Sequence, residues 1–145
     1  MANNHWETEP LSFGVFDQIE NDGRPIGDIY EEHLKLMEYA DEAGFYCYHV
    51  SEHHGTPLSL SISPNIILSA AAQRTQRIRL AALVYCLPYY EPYRLANEIN
   101  MLDHLTGGRI EVGVGRGVSP IEAAFFGIPN VEESRSIYRE ILDIM

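Results

Sequence analysis

The chain has 145 residues, 46% of them hydrophobic, and 10 basic against 21 acidic side chains give a formal net charge of −11. That is one domain's length with enough apolar material for a core. The acidic balance is unsuited to a nucleic-acid or anionic-membrane surface, and no run approaches the ~18 apolar residues of a membrane span.

Met1–Pro10 is polar, with no basic segment ahead of an apolar one, so no signal peptide is expected. Cys47 and Cys86 both fall in expected strands; two cysteines make no disulfide framework and read as buried thiols of a reducing compartment. The expectation is a cytoplasmic protein with a polar tail over 1–11 and one domain over 12–145.

In chain order, strands and helices alternate. Ser12–Phe16 is a short strand, followed by a polar loop with Asn21-Asp22-Gly23 turn chemistry. Asp28 is placed to cap a helix from Ile29 to Ala43, whose apolar stripe is Leu34, Met37, Tyr39, Ala40 and Ala43. Gly44 ends it. From Tyr46, β-branched and aromatic residues recur at alternate positions and predict a second strand, stopped by Gly55 and Pro57. Ser63-Pro64 opens a helix reaching Thr75. Ile78–Cys86 is a nearly continuous apolar strand, as expected when both faces are covered. After a loop, a helix runs from Tyr93 to Leu105 and breaks at Gly107-Gly108. Arg109–Val114 is a fourth strand. A short helix over Pro120–Phe126 and a last one, capped by Asn130 with Glu133, complete the series.

Four strand–helix units in succession imply a parallel α/β architecture with right-handed crossovers. Eight such units make a (β/α)8 barrel of typically ~250 residues, so the expectation is a TIM-type barrel that is incomplete, about four units long. Its open edges and half-exposed interior, with residues such as Leu80, Ala82 and Val84 or their neighbours, predict association, with a homo-oligomer as the expected form.

In parallel sheets chemistry collects at the C-terminal ends of strands. There the second strand delivers Glu52, His53 and His54, a carboxylate and two imidazoles able to exchange protons near neutral pH. The bland reading makes them loop histidines bonded to backbone. Neighbours in an extended segment point to opposite faces, so they rarely share one ion and no metal site is expected. Gly113-Val-Gly-Arg-Gly117 follows the fourth strand; its glycines admit a close ligand and Arg116 suits a phosphate. It is not the dinucleotide fingerprint, since the third glycine comes one residue early. The alternative is a glycine turn with an exposed arginine. Tyr85, with Tyr89, Tyr90 and Tyr93, could line an aromatic pocket or cap a core.

Glu52-His-His54, Leu102-Asp-His-Leu-Thr-Gly-Gly-Arg-Ile110, Gly113-Val-Gly-Arg-Gly117 and Phe126-Gly127 followed by Glu133-Ser-Arg135 stand in an order that resembles the bacterial luciferase-like flavin monooxygenases. The resemblance covers about residues 12–145 and implies the N-terminal half of a (β/α)8 barrel. It implies insertion of one oxygen atom from O2 into a small organic substrate by reduced FMN, usually supplied by a separate flavin reductase, with the deazaflavin F420 as the alternative cofactor. On this resemblance His53, with Glu52, is catalytic; Arg116, Gly115 and Gly117 hold the flavin phosphate; and Leu83 and Val84 pass under the flavin ring, with a non-proline cis peptide between them. His54 and Tyr85 would meet the substrate. The reading from another class is a catalytically incomplete half-barrel, a truncated or assembly subunit with weak or no flavin binding. A phosphate-binding barrel enzyme without flavin is the third.

Overall fold

The computed structural model describes residues 10–145; most of the expected tail, 1–11, lies outside them. The elements are β1 (Gly14–Asp17), α1 (Ile26–Glu42), β2 (Cys47–Val50), α2 (Pro64–Ala72), β3 (Arg79–Cys86), a 3-10 turn (Leu87–Tyr89), α3 (Pro92–Thr106), β4 (Ile110–Gly115), α4 (Pro120–Phe125) and α5 (Val131–Ile144). The strands form one parallel sheet in the order β1-β2-β3-β4. This is the expected α/β unit repeat. No helix among the described residues is long and apolar enough to cross a membrane.

Local chemistry explains most boundaries. Glu91 caps α3 by accepting from the N–H groups of Tyr93 and Arg94, and Gly107, at φ 68°, ends it in the left-handed conformation. Asn130 accepts from the Glu133 N–H, as expected. Asp28 is not a cap: α1 starts earlier, after Pro25, whose fixed φ suits helix entry, and leaves Asp28 in the first turn. Tyr39, placed in the apolar stripe from sequence, is 63% exposed; the buried face is Ile29, Leu34, Met37 and Ala40.

The core lies on the helix side of the sheet. Tyr48 and Val50 from β2, and Leu80 and Ala82 from β3, are fully buried there against helical residues such as Ile29, Met37, Leu68 and Leu95. Each of the larger aliphatic side chains among them contributes roughly 1.5–3 kcal/mol of burial free energy. Of the residues expected on the open interior, Leu80 and Ala82 or their neighbours, the first two lie in the core. Strand alternation gives that face to their neighbours instead, and it is partly polar: Arg79 Nε donates to Glu111 Oε1 across β3 and β4, and His49 Nδ1–H donates to the Val15 carbonyl at 3.0 Å. His49 therefore lies half-buried on the open face rather than in the packed layer. Further up β3 the register shifts between Ala82 and Tyr85, which both lie in the core although three residues apart. The Leu83–Val84 peptide within the shift is cis. Both side chains face the open side: a Cβ on Gly113 would stand 3.4 Å from Leu83 Cδ1, and one on Gly115 would stand 2.5 Å from Val84 Cγ2.

One buried carboxylate fastens the helix layer to the sheet. Asp41, near the end of α1, accepts the N–H groups of Gln76, Arg77 and Ile78 at 2.7, 2.9 and 2.6 Å, closing the entry to β3. Burial pushes its carboxyl up, but the three N–H groups outweigh that and hold it below the ordinary value. Asp41→Ala should lower the unfolding free energy by about 2–4 kcal/mol in urea denaturation, because buried donors lose an ionised acceptor. A loss under about 1 kcal/mol would mean that packing alone holds the loop.

Candidate active site

The C-terminal end of β2 sends successive residues to opposite sides. Glu52, on the helix side, is fully enclosed; its Oε2 accepts the Cys86 N–H at 2.9 Å and its Oε1 accepts His54 Nε2–H at 2.7 Å. His53 turns the other way, and its Nδ1 lies 3.0 Å from Oε1 of Glu122 in α4. A carboxylate in its ionised form only accepts, so with Glu122 ionised the shared proton belongs to Nδ1, and Nε2 of a neutral ring is then the acceptor. The two imidazoles, adjacent in sequence, are thus held by two different buried carboxylates through opposite ring nitrogens.

Helix α4 covers this corner. Ser119 caps it by accepting the Glu122 N–H, and Pro120 occupies its first turn. Glu122 is 3% exposed. One turn on, Phe125 lies over Gly55, where an added Cβ would come within 2.5 Å of the ring. Phe126 stacks on Tyr89 with centroids 4.4 Å apart and meets His54 edge-on at 4.8 Å. Beneath them Cys86 is enclosed; burial, then the Glu52 and Glu122 charges, push its thiol up to about 12, so it stays protonated at neutral pH.

Arg116 follows β4 on the same segment, six positions before Glu122. Among the described residues its guanidinium has no ion pair, whereas its carbonyl accepts from Ser134 Oγ at 3.5 Å. A small hollow of about 60 Å³ adjoins it, lined by Gly117, Ser119, Asn130 and Ser134. Gly117, at φ +74°, has no room for a side chain, since a Cβ would stand 2.8 Å from the Tyr89 hydroxyl. A cation, the Ser119 hydroxyl and close backbone form a donor set that fits a phosphate. Arg116, Gly115 and Gly117 stand on one turn at the end of β4, and Leu83 and Val84 lie on the open face.

A larger hollow lies elsewhere. About 640 Å³ opens between α2 and α3 on the helix side, reaching His54, Glu52, Tyr89, Tyr90, Asn65 and Glu98. His54 therefore faces this groove and His53 does not. Tyr85 is fully buried beside the groove rather than lining it, and its hydroxyl donates to Asn65 Oδ1 at 2.6 Å. Sequence reasoning missed Glu122 altogether; a lone glutamate in a short helix carries no spacing signal, and only the fold brings it to His53. Among the described residues the ligand-type grouping Cys47, His49 and Glu111 has its ligand atoms within 4.8 Å of one another. It stands toward the other end of the sheet, where Arg79 already pairs with Glu111.

The family model described as luciferase-like monooxygenase matches residues 11–145. The chain belongs to this luciferase-like monooxygenase family. It is 38% identical over 138 residues to the 4-hydroxyprotoasukamycin monooxygenase of Streptomyces nodosus subsp. asukaensis, covering 94% of this chain and 37% of that protein. Among solved structures it resembles the oxygenating constituent of 3,6-diketocamphane monooxygenase from Pseudomonas putida, a type II Baeyer–Villiger monooxygenase in complex with FMN. The TM-score is 0.87 at 27% identity, over 92% of this chain and 38% of that one. An F420-dependent secondary alcohol dehydrogenase shares the fold, with a TM-score of 0.75 at 22% identity over 94% of this chain and 41% of that one. The chain spans about a third of the length of the curated relatives it matches. Within the luciferase-like fold it supplies four parallel units of a TIM-type barrel.

The packing of α4 on the histidine loop is testable through two glycines. Gly55 and Gly127 both have positive φ, 65° and 73°, but only at Gly55 would a Cβ strike a ring. Gly127→Ala should cost the backbone penalty of about 1–2 kcal/mol; Gly55→Ala should cost about 1–3 kcal/mol more, from overpacking against Phe125. Equal losses in parallel denaturation curves would show that α4 does not bear on the loop.

Proposed function

We propose that this chain carries the phosphate-binding and proton-handling part of a flavin-dependent monooxygenase acting on a small organic substrate. The observation that carries the reading is one short segment, 116–122, that joins an unpaired arginine on a glycine turn to the buried carboxylate holding His53. Reduced FMN, when bound, supplies the two electrons with which one oxygen atom of O2 enters the substrate and the other leaves as water.

The chain's own residues then have separate tasks. Arg116 binds the phosphate, and Gly115 and Gly117 let backbone approach it. Leu83 and Val84 form the apolar wall under the ring. His53 Nε2 is the nitrogen that would accept or return a proton at the reacting edge. Glu52 fixes His54, and His54 with Tyr89 and Phe126 borders the space open to a substrate, while Tyr85 acts through Asn65. The solved likeness is named as the oxygenating constituent of its enzyme, which supports a separate reductase as the source of reduced FMN here. Phe16 and Leu83, 53% and 44% exposed on the open face, support association with a second copy of this chain. The same exposure favours the second reading, a half-barrel with weak or no flavin binding.

Arg116→Ala should weaken FMN binding by roughly 1.5–3 kcal/mol, the scale of a hydrogen bond to a charged group, and leave riboflavin, which lacks the phosphate, nearly unaffected. Flavin fluorescence titration measures both, and equal losses would make the effect structural. Running it with F420 separates the deazaflavin reading, and no saturable binding of either cofactor would favour the half-barrel one. In a complete barrel built on this segment, His53→Ala should lower oxygenation by about 10²–10⁴-fold while FMN affinity changes little. Unchanged turnover would remove His53 from the chemistry.

A further inference from the structure

We propose that Glu122 is the positioning residue of this site: it fixes the tautomer and the aim of His53, and α4 exists in this segment to deliver it. The catalytic consequence rests on the role given to His53 above, but the positioning itself does not.

Three contacts, all from one short helix and its end, converge on three consecutive residues of the β2 loop. Glu122 takes His53, Phe125 covers Gly55, and Phe126 packs edge-on against His54. Glu122 and Phe125 are three apart, so they share a helix face. Glu122 is the enclosed member of that face, at 3% exposed, while Phe125 covers Gly55 from the rim and stays 63% exposed. A carboxylate that buried requires a partner, and the hydrogen bond recorded for its side chain is the one from His53. The neighbouring pair does not duplicate this arrangement, because Glu52 holds His54 through Nε2 and also takes the Cys86 N–H. Of these two imidazoles, His53 is the one whose Nε2 has no hydrogen-bond partner among the described residues, and that is the nitrogen a proton transfer would use.

The delivery is linked to the phosphate turn. Between Arg116 and Glu122 stand Gly117, whose conformation admits no side chain, and Ser119, whose hydroxyl accepts the Glu122 N–H at 3.2 Å. Whatever Arg116 binds is therefore tied by a few fixed residues to the carboxylate that aims His53.

Nitrogen-15 NMR of the His53 ring in the purified chain tests the claim without flavin and without a variant. The expected spectrum at a pH where the ring is neutral has Nδ1 protonated and Nε2 bare; a proton on Nε2 would overturn the proposal. In Glu122→Leu the ring should drift toward the mixed tautomers of a free imidazole, and in Glu122→Gln, whose amide oxygen still accepts, the Nδ1–H form should persist. A Leu variant with the original tautomer would also overturn it. In a complete barrel, Glu122→Leu should lower kcat about 10–100-fold, the usual scale for loss of an orienting partner, with KM and FMN affinity within a few-fold and partial recovery in Glu122→Gln. If the tautomer shifts but kcat does not fall for Glu122→Leu or for His53→Ala, the role of His53 fails and the positioning stands. If His53→Ala lowers kcat and Glu122→Leu does not, the positioning proposal fails.

Discussion

The upper end of this sheet depends on the carboxylate of Glu52. It is fully enclosed, and an isolated charge there would cost several kcal/mol. It is tolerated because one oxygen takes the Cys86 N–H at the end of β3 and the other takes His54. Those two bonds fix where β3 stops pairing and where the loop after β2 must turn. The position of Tyr89, the stack with Phe126 and the entry to the α2–α3 groove all follow from that anchor.

The same strand geometry separates two environments. Because neighbouring residues in an extended segment point to opposite faces, Glu52 enters the helix layer and His53 emerges over the open face. A sequence of three polar residues thereby yields two carboxylate–imidazole pairs with different free nitrogens and different surroundings. The larger hollow adjoins the Glu52–His54 pair and is lined by Arg94, which pairs with Glu98, whereas the smaller one adjoins Arg116. Size alone would select the groove. The function proposed above puts a cofactor phosphate at the other corner, on Arg116 and its short connection to Glu122, and leaves the groove to His54.

Much of this was legible in the sequence, for physical reasons. Apolar runs and glycine or proline breaks located every strand and helix, and the alternation of elements required a parallel sheet. The residues foreseen at strand ends, His53, His54 and Arg116, do stand there. What stayed hidden depended on tertiary pairing. Asp41 looks like any acidic residue at a helix end until the loop before β3 folds onto it. Nor does the sequence pair His33, within α1, with Asp17 of β1: the imidazole donates to that carboxylate at 2.6 Å, and the bond raises its pKa. The face carrying Leu80 and Ala82 could not be read from a continuous apolar strand, because every residue of such a run is equally suited to either side. Glu122 needed a contact across 69 residues of sequence.

The most direct measurement is a backbone-amide NMR titration of the chain with FMN. The account predicts that the amides of Arg116, Gly117 and Val84 shift together and saturate, followed by that of Glu122, while Asn65 and Ile66 in the α2–α3 groove stay in place. Saturating shifts confined to the groove, with Arg116 and Gly117 unmoved, would contradict it.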